Sequence, residues 1–230
     1  MTLTPQSVPG GRGAAPWLTG PVATSILLLR HAKSTWNEAG RWQGWADPPL
    51  SPVGERTAEA AAPSPVLGTI EAAAASDLQR AARTAELLGD GRGWPPVVRY
   101  RGLRERGAGP WTGLTRAEIE AGWPGALTPP VVVIGGEPPG AVTARAVATL
   151  HRIAGDFPDR AVLAVTHGGV IRLVEAHLGA EPKPVPNLGG RWVHIEGAAV
   201  RLGEWVEALA VAPAPGDPTA AETPVSEAAL

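Results

Sequence analysis

Two histidines of the chain follow short, purely apolar runs, and this placement indicates chemistry on an anion. His31 comes after Ile26–Leu29 and Arg30, and His167 comes shortly after Val162–Val165. Continuous apolar runs of this length are typical of strands that are buried on both faces of a parallel sheet. Ligands of such sheets bind at the carboxyl ends of the strands, so we expect both imidazoles at one ligand-binding edge. An imidazole can act as a nucleophile or a proton carrier, and a guanidinium binds oxyanions.

The residues after His167 favour anion binding at the same place. Gly168 and Gly169 allow close approach of the backbone, and the helix that follows would present N–H groups to an anion. For one histidine alone, a structural role at a strand end is the simpler interpretation. Two histidines placed alike, one of them directly after an arginine, favour a site. The other three histidines are predicted to be structural, namely His151 in a helix, His177 near a helix carboxyl terminus and His194 in a hairpin strand.

Three further charged residues could join the two histidines. Arg80 and Arg83 lie in the helical stretch "SDLQRAARTAELL", and Glu105 lies in the glycine-rich loop "LRERGAGPWTG". Taken singly, a helical arginine is usually a solvated surface residue, and a loop glutamate carries no signal. Their significance therefore depends on their order and spacing together.

The sequence lacks the motifs of several other classes of site. It has no cysteine, which excludes disulfides, thiolate metal sites and a cysteine nucleophile. It has no His-Glu-x-x-His pair and no Gly-x-x-x-x-Gly-Lys loop, so neither a zinc site of that kind nor a nucleotide P-loop is predicted. The Gly-x-Ser-x-Gly motif of serine hydrolases is also missing.

Short apolar runs that alternate with helical patterns predict an α/β fold with a largely parallel sheet. Thr115 and Glu118 have the spacing of a capping box ahead of a short helix. The stretch "RWVHIEGAAVRLGEWV" alternates in polarity as an antiparallel hairpin does. The other helices are predicted at Gly54–Ala62, at Leu78–Leu88 with Gly89 as its stop, at Ala141–Ala154 and at Val170–Leu178.

Two segments leave the choice of element open. The alanines of "TIEAAAASDLQ" favour a helix by propensity, whereas the position of this segment between helices favours a strand. The proline-rich stretch Pro124–Pro139 is predicted to be a loop, and its "VVVI" run is the one part that could form a strand.

Composition and charge indicate the extent of the folded domain and the classes of partner. The 230 residues are 44% hydrophobic and 18% charged, which predicts a globular domain over residues 24–211. Residues 1–23 and 212–230, rich in glycine, proline or alanine, are predicted to be a flexible leader and a disordered tail. A net charge of −2 without a basic block argues against nucleic acid and anionic membranes as partners. Because neither a membrane span nor a signal peptide is predicted, we expect a cytoplasmic protein.

The charged residues and their surroundings resemble the histidine phosphatase superfamily, the phosphoglycerate-mutase-like family. Four motifs follow that family's order, and the "GGEPPG" segment ahead of the Ala141 helix also fits. The resemblance spans residues 26 to about 175. The four motifs are "RHAKSTWNEAGRWQGWADPPLSPVG" at residues 30–54, "SDLQRAARTA" at 76–85, "LRERGAGPWTG" at 103–113 and "VLAVTHGGVIR" at 162–172.

Some positions depart from the family pattern. Ala32 replaces the usual glycine after the histidine, and Lys33 and Ser34 replace commoner residues. The opening "RHAKS" resembles that of small phosphohistidine phosphatases, whereas "WNEAGRWQGWADPPL" resembles the mutase and broad-specificity phosphatase branch. Thr112 stands where a Glu or Asp is frequent. The region ahead of the Ala141 helix is short, which predicts a reduced cap over the site.

The resemblance implies a three-layer α/β sandwich with a mostly parallel central sheet flanked by helices. It also implies a metal-independent phosphomonoesterase that needs no cofactor and hydrolyses a small phosphorylated metabolite through a phosphohistidine. His31 would be the nucleophile, and Glu105 would be the proton donor and later the base. The residues implied to bind or stabilise the phosphoryl group are Arg30, Arg80, His167, Asn37, Gln43, Gly44 and Gly168.

Other functions of the same fold stay open from the sequence. A phosphoglycerate mutase is one alternative, although mutases of this family carry an insertion after the third motif and only about 30 residues separate Trp111 from Gly140 here. A phosphohistidine protein phosphatase and a catalytically silent binding module are the others. The expected partner is a small-molecule phosphate ester, and the sequence leaves a homodimer open.

Overall fold

A six-stranded sheet forms the centre of the computed structural model, which describes residues 23–128 and 131–209. Its strands are β1 (Thr24–Arg30), β2 (Ala72–Ser76), β3 (Val98–Tyr100), β4 (Ala161–Thr166), β5 (Gly190–Glu196) and β6 (Ala199–Val206). The strand order is β3–β2–β4–β1–β5–β6. The first four strands are parallel to one another, β5 is antiparallel to β1, and β6 is antiparallel to β5. The predicted α/β fold with a mostly parallel sheet is confirmed.

The predicted leader and tail fall almost entirely outside the described residues, as do positions 129, 130, 210 and 211 of the predicted domain. Within the ranges that the structure does describe, no helix is long and apolar enough to cross a membrane.

Helices cover both faces of the sheet, which gives three layers. The helices of the described residues are α1 (Thr35–Glu38), α2 (Pro52–Ala61), α3 (Gln79–Gly89), α4 (Arg116–Gly122), α5 (Pro139–Asp156) and α6 (Gly168–His177). α2 and α3 pack on the face that carries Leu27 and Leu29 of β1, whereas α5 and α6 pack on the face that carries Ile26 and Leu28. Because side chains alternate along a strand, β1 is buried on both sides, as its apolar run predicts.

The four long helices predicted from the sequence are α2, α3, α5 and α6, each within a few residues of its expected ends. The predicted hairpin is β5 and β6. The predicted capping box is present at α4, where Thr115 Oγ1 accepts the Glu118 N–H at 3.2 Å and the Glu118 carboxylate accepts the Thr115 N–H at 2.7 Å. α6 begins at Gly168 rather than at the predicted Val170, so its N-terminal N–H groups follow His167 directly.

The ambiguous alanine-rich segment forms a strand, β2. Its residues Ala72–Ala75 are at most 1% exposed, because β2 lies between β3 and β4 in the sheet. Alanine favours a helix in isolation, but hydrogen bonding on both sides and the small space beneath α3 decide the outcome here. Two short elements, α1 and β3, have no counterpart among the predicted ones.

A third, smaller core lies in the segment that precedes α5. Trp111 and Val133 are buried in it, and Trp42 packs edge-on against Trp111 with ring centroids 5.2 Å apart. The "VVVI" run forms no strand, since Val133 joins this core while Val132 and Ile134 are exposed. A side-chain contact thus takes the place of strand pairing in this loop.

The amino end of α2 packs against the backbone just after His31. Ser51 caps α2 by accepting the Gly54 N–H at 3.1 Å, and its own N–H donates to the Lys33 carbonyl at 2.9 Å. A Cβ atom at Gly54 would overlap that same Lys33 carbonyl oxygen. Only glycine therefore allows this close approach of helix and loop.

We expect Gly54→Ala to lower the free energy of unfolding by about 1–3 kcal/mol, because the overlap with Lys33 forces the backbone apart. Gly140→Ala is the matched control, since it also lies in the first turn of a helix and an added Cβ there meets no heavy atom within 4 Å. That control should be neutral or gain roughly 0.5 kcal/mol. Urea unfolding followed by circular dichroism measures both changes, and equal stability of the two variants would contradict the packing argument.

Candidate active site

His31 and His167 lie side by side at the carboxyl ends of two neighbouring strands. β1 and β4 are adjacent and parallel, with Arg30 in register with Thr166, so the residue after each strand emerges at the same edge. The two imidazole rings are 5.1 Å apart between centroids and meet edge to face at 63°. The structure thus brings together the two histidines that the sequence singled out.

His31 is held in one tautomer by the backbone. Its Nδ1 lies 2.6 Å from the Ala32 carbonyl oxygen. Because a carbonyl oxygen can only accept, Nδ1 carries the proton and donates it, and Nε2 of the neutral ring keeps a free lone pair. The surrounding backbone is fixed as well, since the Ala32 N–H donates to Thr84 Oγ1 at 3.0 Å and Asn187 Nδ2 donates to the His31 carbonyl at 2.7 Å.

Both imidazoles are neutral at neutral pH. Burial lowers the pKa of His31 well below its ordinary value of 6.5, and the charges of Arg80 and Arg30 lower it further. Burial likewise lowers the pKa of His167, and Arg80, the neighbouring His31 and Arg30 add to the effect. His31 is only 2% exposed and His167 is fully buried. The site therefore holds its positive charge on arginines and leaves its imidazoles unprotonated.

Arg80 reaches the histidines from the first turn of α3 and is fully buried. Its Nη1 donates to the Ala46 carbonyl at 2.8 Å, and its Nη2 donates to the Gly44 carbonyl at 3.0 Å. Burial lowers the pKa of Arg80 to about 10, so the guanidinium remains charged at neutral pH. Its Nε has no hydrogen-bond partner within the described ranges.

Arg30 ends β1 beside the amino terminus of α6. Its Nη1 donates to the Val185 carbonyl at 2.7 Å. A Cβ atom at Gly168 would lie 3.5 Å from Cδ of Arg30, so the arginine side chain passes against the first residue of α6. That distance is an ordinary van der Waals contact, so Arg30 lies directly against the start of α6.

His167 completes the polar set as the residue just ahead of α6. Both of its ring nitrogens are buried and without a hydrogen-bond partner in the described part of the chain. Buried polar groups are normally hydrogen-bonded, and here the two ring nitrogens join Arg80 Nε in lacking a partner. An oxyanion between the two histidines and the arginines could accept from Arg80 Nε–H and from the single ring N–H of neutral His167.

Glu105 joins the site from the loop after a 3₁₀ turn at Arg101–Leu103. Its Oε2 accepts the Gly169 N–H at 3.3 Å, and its Oε1 accepts the Arg106 N–H at 2.8 Å. A Cβ atom at Gly169 would overlap Oε1, so glycine is needed for the carboxylate to reach the start of α6. The carboxylate therefore lies next to the residue pair that follows His167.

Asn37 and Gln43 gather around the hydroxyl of Ser34. Asn37 Oδ1 lies 3.0 Å and Gln43 Oε1 lies 2.8 Å from Ser34 Oγ, and the single hydroxyl proton can serve one of them at a time. Asn37 Oδ1 also accepts the Ser34 N–H, as part of the capping box of α1. Gly44 has a φ of +49° and presents its carbonyl to Arg80. The phosphate-binding roles of Asn37, Gln43 and Gly44 stay predictions.

Arg83 and the three histidines that were predicted to be structural lie apart from this cluster. Arg83 forms an exposed ion pair with Glu55 at 3.2 Å. His194 Nδ1 lies 2.9 Å from Ser25 Oγ in the sheet. His177 and His151 line two open grooves of about 550 and 320 Å³, and neither groove includes a residue of the cluster.

The sequence analysis did not identify Thr84 and Asn187, which fix the backbone of His31 and Ala32. Thr84 lies in the "SDLQRAARTA" motif, which could have drawn attention to it, whereas nothing local marks Asn187, 156 residues from His31 in the chain. Across residues 23–128 and 131–209, no group of three or more His, Asp or Glu side chains could hold a metal ion.

Comparison with known proteins agrees with this fold and with the family that the motifs indicate. A glucosyl-3-phosphoglycerate phosphatase of Mycobacterium tuberculosis is 37% identical over 195 residues, which cover 76% of this chain and 86% of the relative. A metal-independent phosphoserine phosphatase of Arabidopsis thaliana is 35% identical over 161 residues, which cover 66% of this chain and 67% of the relative. A solved structure of a mycobacterial glucosyl-3-phosphoglycerate phosphatase with VO₃ is similar with a TM-score of 0.67 and 32% identity, covering 82% of this chain and all of that one.

These relatives are phosphatases, as the resemblance of the motifs implies. The sequence matches the histidine phosphatase superfamily (branch 1) over residues 26–206, which include both strands of the site, the Glu105 loop and all six helices. The predicted family is confirmed, and this chain belongs to the histidine phosphatase superfamily.

Proposed function

We propose that this protein is a metal-independent phosphomonoesterase that transfers the phosphoryl group of a small ester to His31 and then to water. The state of His31 carries the proposal, since the Ala32 carbonyl binds its Nδ1–H and leaves Nε2 with a free lone pair. A neutral imidazole is the nucleophilic form, and burial, together with the nearby charges of Arg80 and Arg30, lowers the pKa of His31 and keeps the ring neutral. The same cations would attract the phosphate group of the substrate.

In the first step, Nε2 of His31 attacks phosphorus. A nitrogen–phosphorus bond forms while the bond from phosphorus to the ester oxygen breaks. Glu105, in its protonated form, gives its proton to the leaving oxygen, so that the product departs as a neutral alcohol. The hydrogen bond from Gly169 to the Glu105 carboxylate, 3.3 Å long, keeps that group close to the histidines.

In the second step, the Glu105 carboxylate takes a proton from water, and the water oxygen attacks the phosphohistidine. The nitrogen–phosphorus bond breaks, inorganic phosphate forms, and His31 returns to its neutral state. Through both steps, the guanidinium groups of Arg30 and Arg80 and a ring N–H of His167 stabilise the charge on the phosphoryl oxygens. The two guanidinium groups supply the positive charge that Mg²⁺ supplies in other phosphoryl transferases.

The substrate is proposed to be a small phosphate monoester that also carries a carboxylate. Glucosyl-3-phosphoglycerate and phosphoserine, which name the activities of the two relatives, are both esters of phosphate with a hydroxy acid. The proposal includes a catalytic domain over residues 24–211 and a cytoplasmic location.

His31→Ala should lower kcat/KM at least about a thousandfold, because no phosphohistidine can form. Phosphate release with EDTA present, from p-nitrophenyl phosphate, phosphoserine and glucosyl-3-phosphoglycerate, measures this loss. His151→Ala, the same change at a helix position beside a separate groove, should keep wild-type activity.

Near-normal turnover by His31→Ala would contradict the mechanism. Wild-type protein supplied with 3-phosphoglycerate and catalytic bisphosphoglycerate should release phosphate. Formation of the 2-isomer in its place would show a mutase, and dephosphorylation of a phosphohistidine protein in preference to small esters would show a protein phosphatase.

Glu105→Gln should slow a substrate with a poor leaving group far more than one with a good leaving group. Removing a general acid typically lowers the rate by about 10²–10⁴-fold when the leaving oxygen needs a proton, as in glycerol 2-phosphate. The nitrophenolate of p-nitrophenyl phosphate leaves without that help, so its loss should stay below roughly tenfold. Single-turnover rates of phosphoenzyme formation measure both, and equal losses would exclude Glu105 as the acid.

Because folding keeps His31 and His167 neutral, the free energy of unfolding should depend on pH. The folded-state pKa of each is lowered, chiefly by burial and then by Arg80, whereas the unfolded chain binds these protons below about pH 6.5. The unfolded state then holds more protons, so stability falls as the pH decreases. Each histidine should remove about 1.4 kcal/mol for each pH unit below 6.5, until its folded-state pKa is reached.

Urea unfolding at about pH 7.5 and 5.5, followed by tryptophan fluorescence, measures this dependence. His167→Asn removes one of the two groups, so its loss of stability on acidification should be smaller than that of the wild type. Identical losses in the two proteins would show that His167 does not exclude a proton in the folded state.

A further inference from the structure

A partly buried ion pair lies behind the loop that carries Glu105. Glu137, from the "GGEPPG" segment, binds Arg145 of α5 through two hydrogen bonds, 2.7 Å from Nε to Oε1 and 2.8 Å from Nη2 to Oε2. The side chains are only 16% and 20% exposed, respectively. Neither residue has a role in the steps described above.

Arg145 also binds the backbone of the Glu105 loop. Its Nη1 donates to the carbonyl oxygens of Gly102 and Arg104, at 2.8 and 2.5 Å, and its Nη2 donates to the Glu105 carbonyl at 2.9 Å. With the two bonds to Glu137, all five N–H donors of the guanidinium are in use. A lysine at this position has three donors on one nitrogen and could not reproduce this geometry.

Glu137 binds the part of the Glu105 loop formed by Arg106 and Gly107. Its carboxylate accepts the Gly107 N–H at 3.1 Å, and its N–H donates to the Gly107 carbonyl at 2.8 Å. Its carbonyl oxygen accepts a hydrogen bond of 2.8 Å from Nε of Arg106. Residues 104–107 are thus bound from outside by one ion pair.

The loop also packs closely against α5 and Glu137 at two glycines, Gly102 and Gly107. A Cβ atom at Gly102 would overlap Thr149 Oγ1 of α5. A Cβ atom at Gly107 would lie 3.3 Å from Cβ of Glu137. The backbone path through Glu105 is therefore fixed at both ends.

The pair is charged on both partners. Burial alone would raise the pKa of Glu137, but the hydrogen bonds from Arg145 and the Gly107 N–H outweigh burial and lower it. An ionised carboxylate accepts stronger hydrogen bonds than a neutral one, so the loop contacts keep their strength at neutral pH. Arg145 is also close enough to the site for its charge to contribute to the lowered pKa of His167.

We propose that Arg145 and Glu137 are positioning residues that aim the Glu105 carboxyl group at the leaving oxygen, an inference that rests on the proposed role of Glu105 as the acid. The Glu105 carbonyl is fixed twice, by Arg145 and by Nε1 of Trp45 at 2.8 Å. Its carboxylate binds the N–H of Arg106, whose side chain is itself attached to Glu137. The direction of the acid is thereby set by a pair that touches no substrate.

Arg145→Lys tests this role, with Arg152→Lys as the matched control. Arg152 lies on the same helix, but its side chain is 74% exposed, pairs with Asp156 at 3.7 Å and lies over the Tyr100 ring, and within the described residues it makes no hydrogen bond to the Glu105 loop. Arg145→Lys should lower kcat/KM for glycerol 2-phosphate at least tenfold more than for p-nitrophenyl phosphate. Arg152→Lys should leave both values unchanged. If Arg145 only stabilises the fold, Arg145→Lys should lower kcat/KM for both esters in the same proportion, and that result would overturn the proposal.

Glu137→Gln is a second variant of nearly the same shape, which decides the question if Arg145→Lys does not fold. It should show the same selective loss with a circular dichroism spectrum like that of the wild type. Proportional losses from this variant would likewise overturn the proposal.

A double variant separates the inference from the proposed function. Glu105→Gln is expected to lower kcat/KM for glycerol 2-phosphate more than for p-nitrophenyl phosphate. Because Arg145 acts through Glu105, adding Arg145→Lys to Glu105→Gln should leave the ratio of these two losses almost unchanged. If Glu105→Gln alone shows no selectivity, both the acid assignment and the positioning role are wrong. If Glu105→Gln is selective and Arg145→Lys is not, only the positioning role is wrong.

Discussion

Arg80 has no contact with solvent, and a guanidinium in that position has to be surrounded by fixed oxygen acceptors. The carbonyls of Gly44 and Ala46 meet this requirement, so the loop that precedes α2 is folded around the arginine. Thr84, one turn further along α3, donates to the Arg80 carbonyl and accepts the N–H of Ala32. The buried cation therefore orders both the loop of Gly44 and Ala46 and the end of β1. Because its charge is poorly screened there, it suppresses protonation of the imidazoles and attracts phosphate more strongly than an exposed arginine would.

The two outer layers of the sandwich hold different parts of the site. α3 lies on one face of the sheet and supplies Arg80 together with Thr84, so in the proposed mechanism that face organises the nucleophile and the phosphate group. α5 lies on the other face and supplies Arg145, which binds the backbone of Glu105. The sheet separates these two layers, and its carboxyl edge is where their contributions meet. In the proposed mechanism, phosphate binding and proton transfer therefore depend on different helices.

The sequence predicted those features whose cause is local. Apolar runs predicted β1 and β4, and the position of His31 and His167 after them followed from strand geometry. The alanines of β2 left helix and strand open, because propensity is weak and burial between two strands, which decides the outcome, does not show in the local sequence. The contacts of Arg145 could not be predicted, since its five acceptors come from four residues that only the packing of α5 brings together. The importance of Arg80 and Glu105 came from the family motifs, because their patterns alone match those of surface residues.

The pairing of β1 with β4 has a consequence for how the protein acquires activity. Paired residues of the two strands lie 136 positions apart in the chain, as Ser25 and Ala161 do, and the His31 backbone is completed by Asn187, 156 residues away. Parallel pairing over such a separation forms slowly, because the entropy of closing a long loop is lost before the contacts repay it. Helices and the β5–β6 hairpin can form earlier from local contacts. Catalytic activity is therefore a reporter of the final long-range step of folding, and a chain that is already rich in secondary structure would still be inactive.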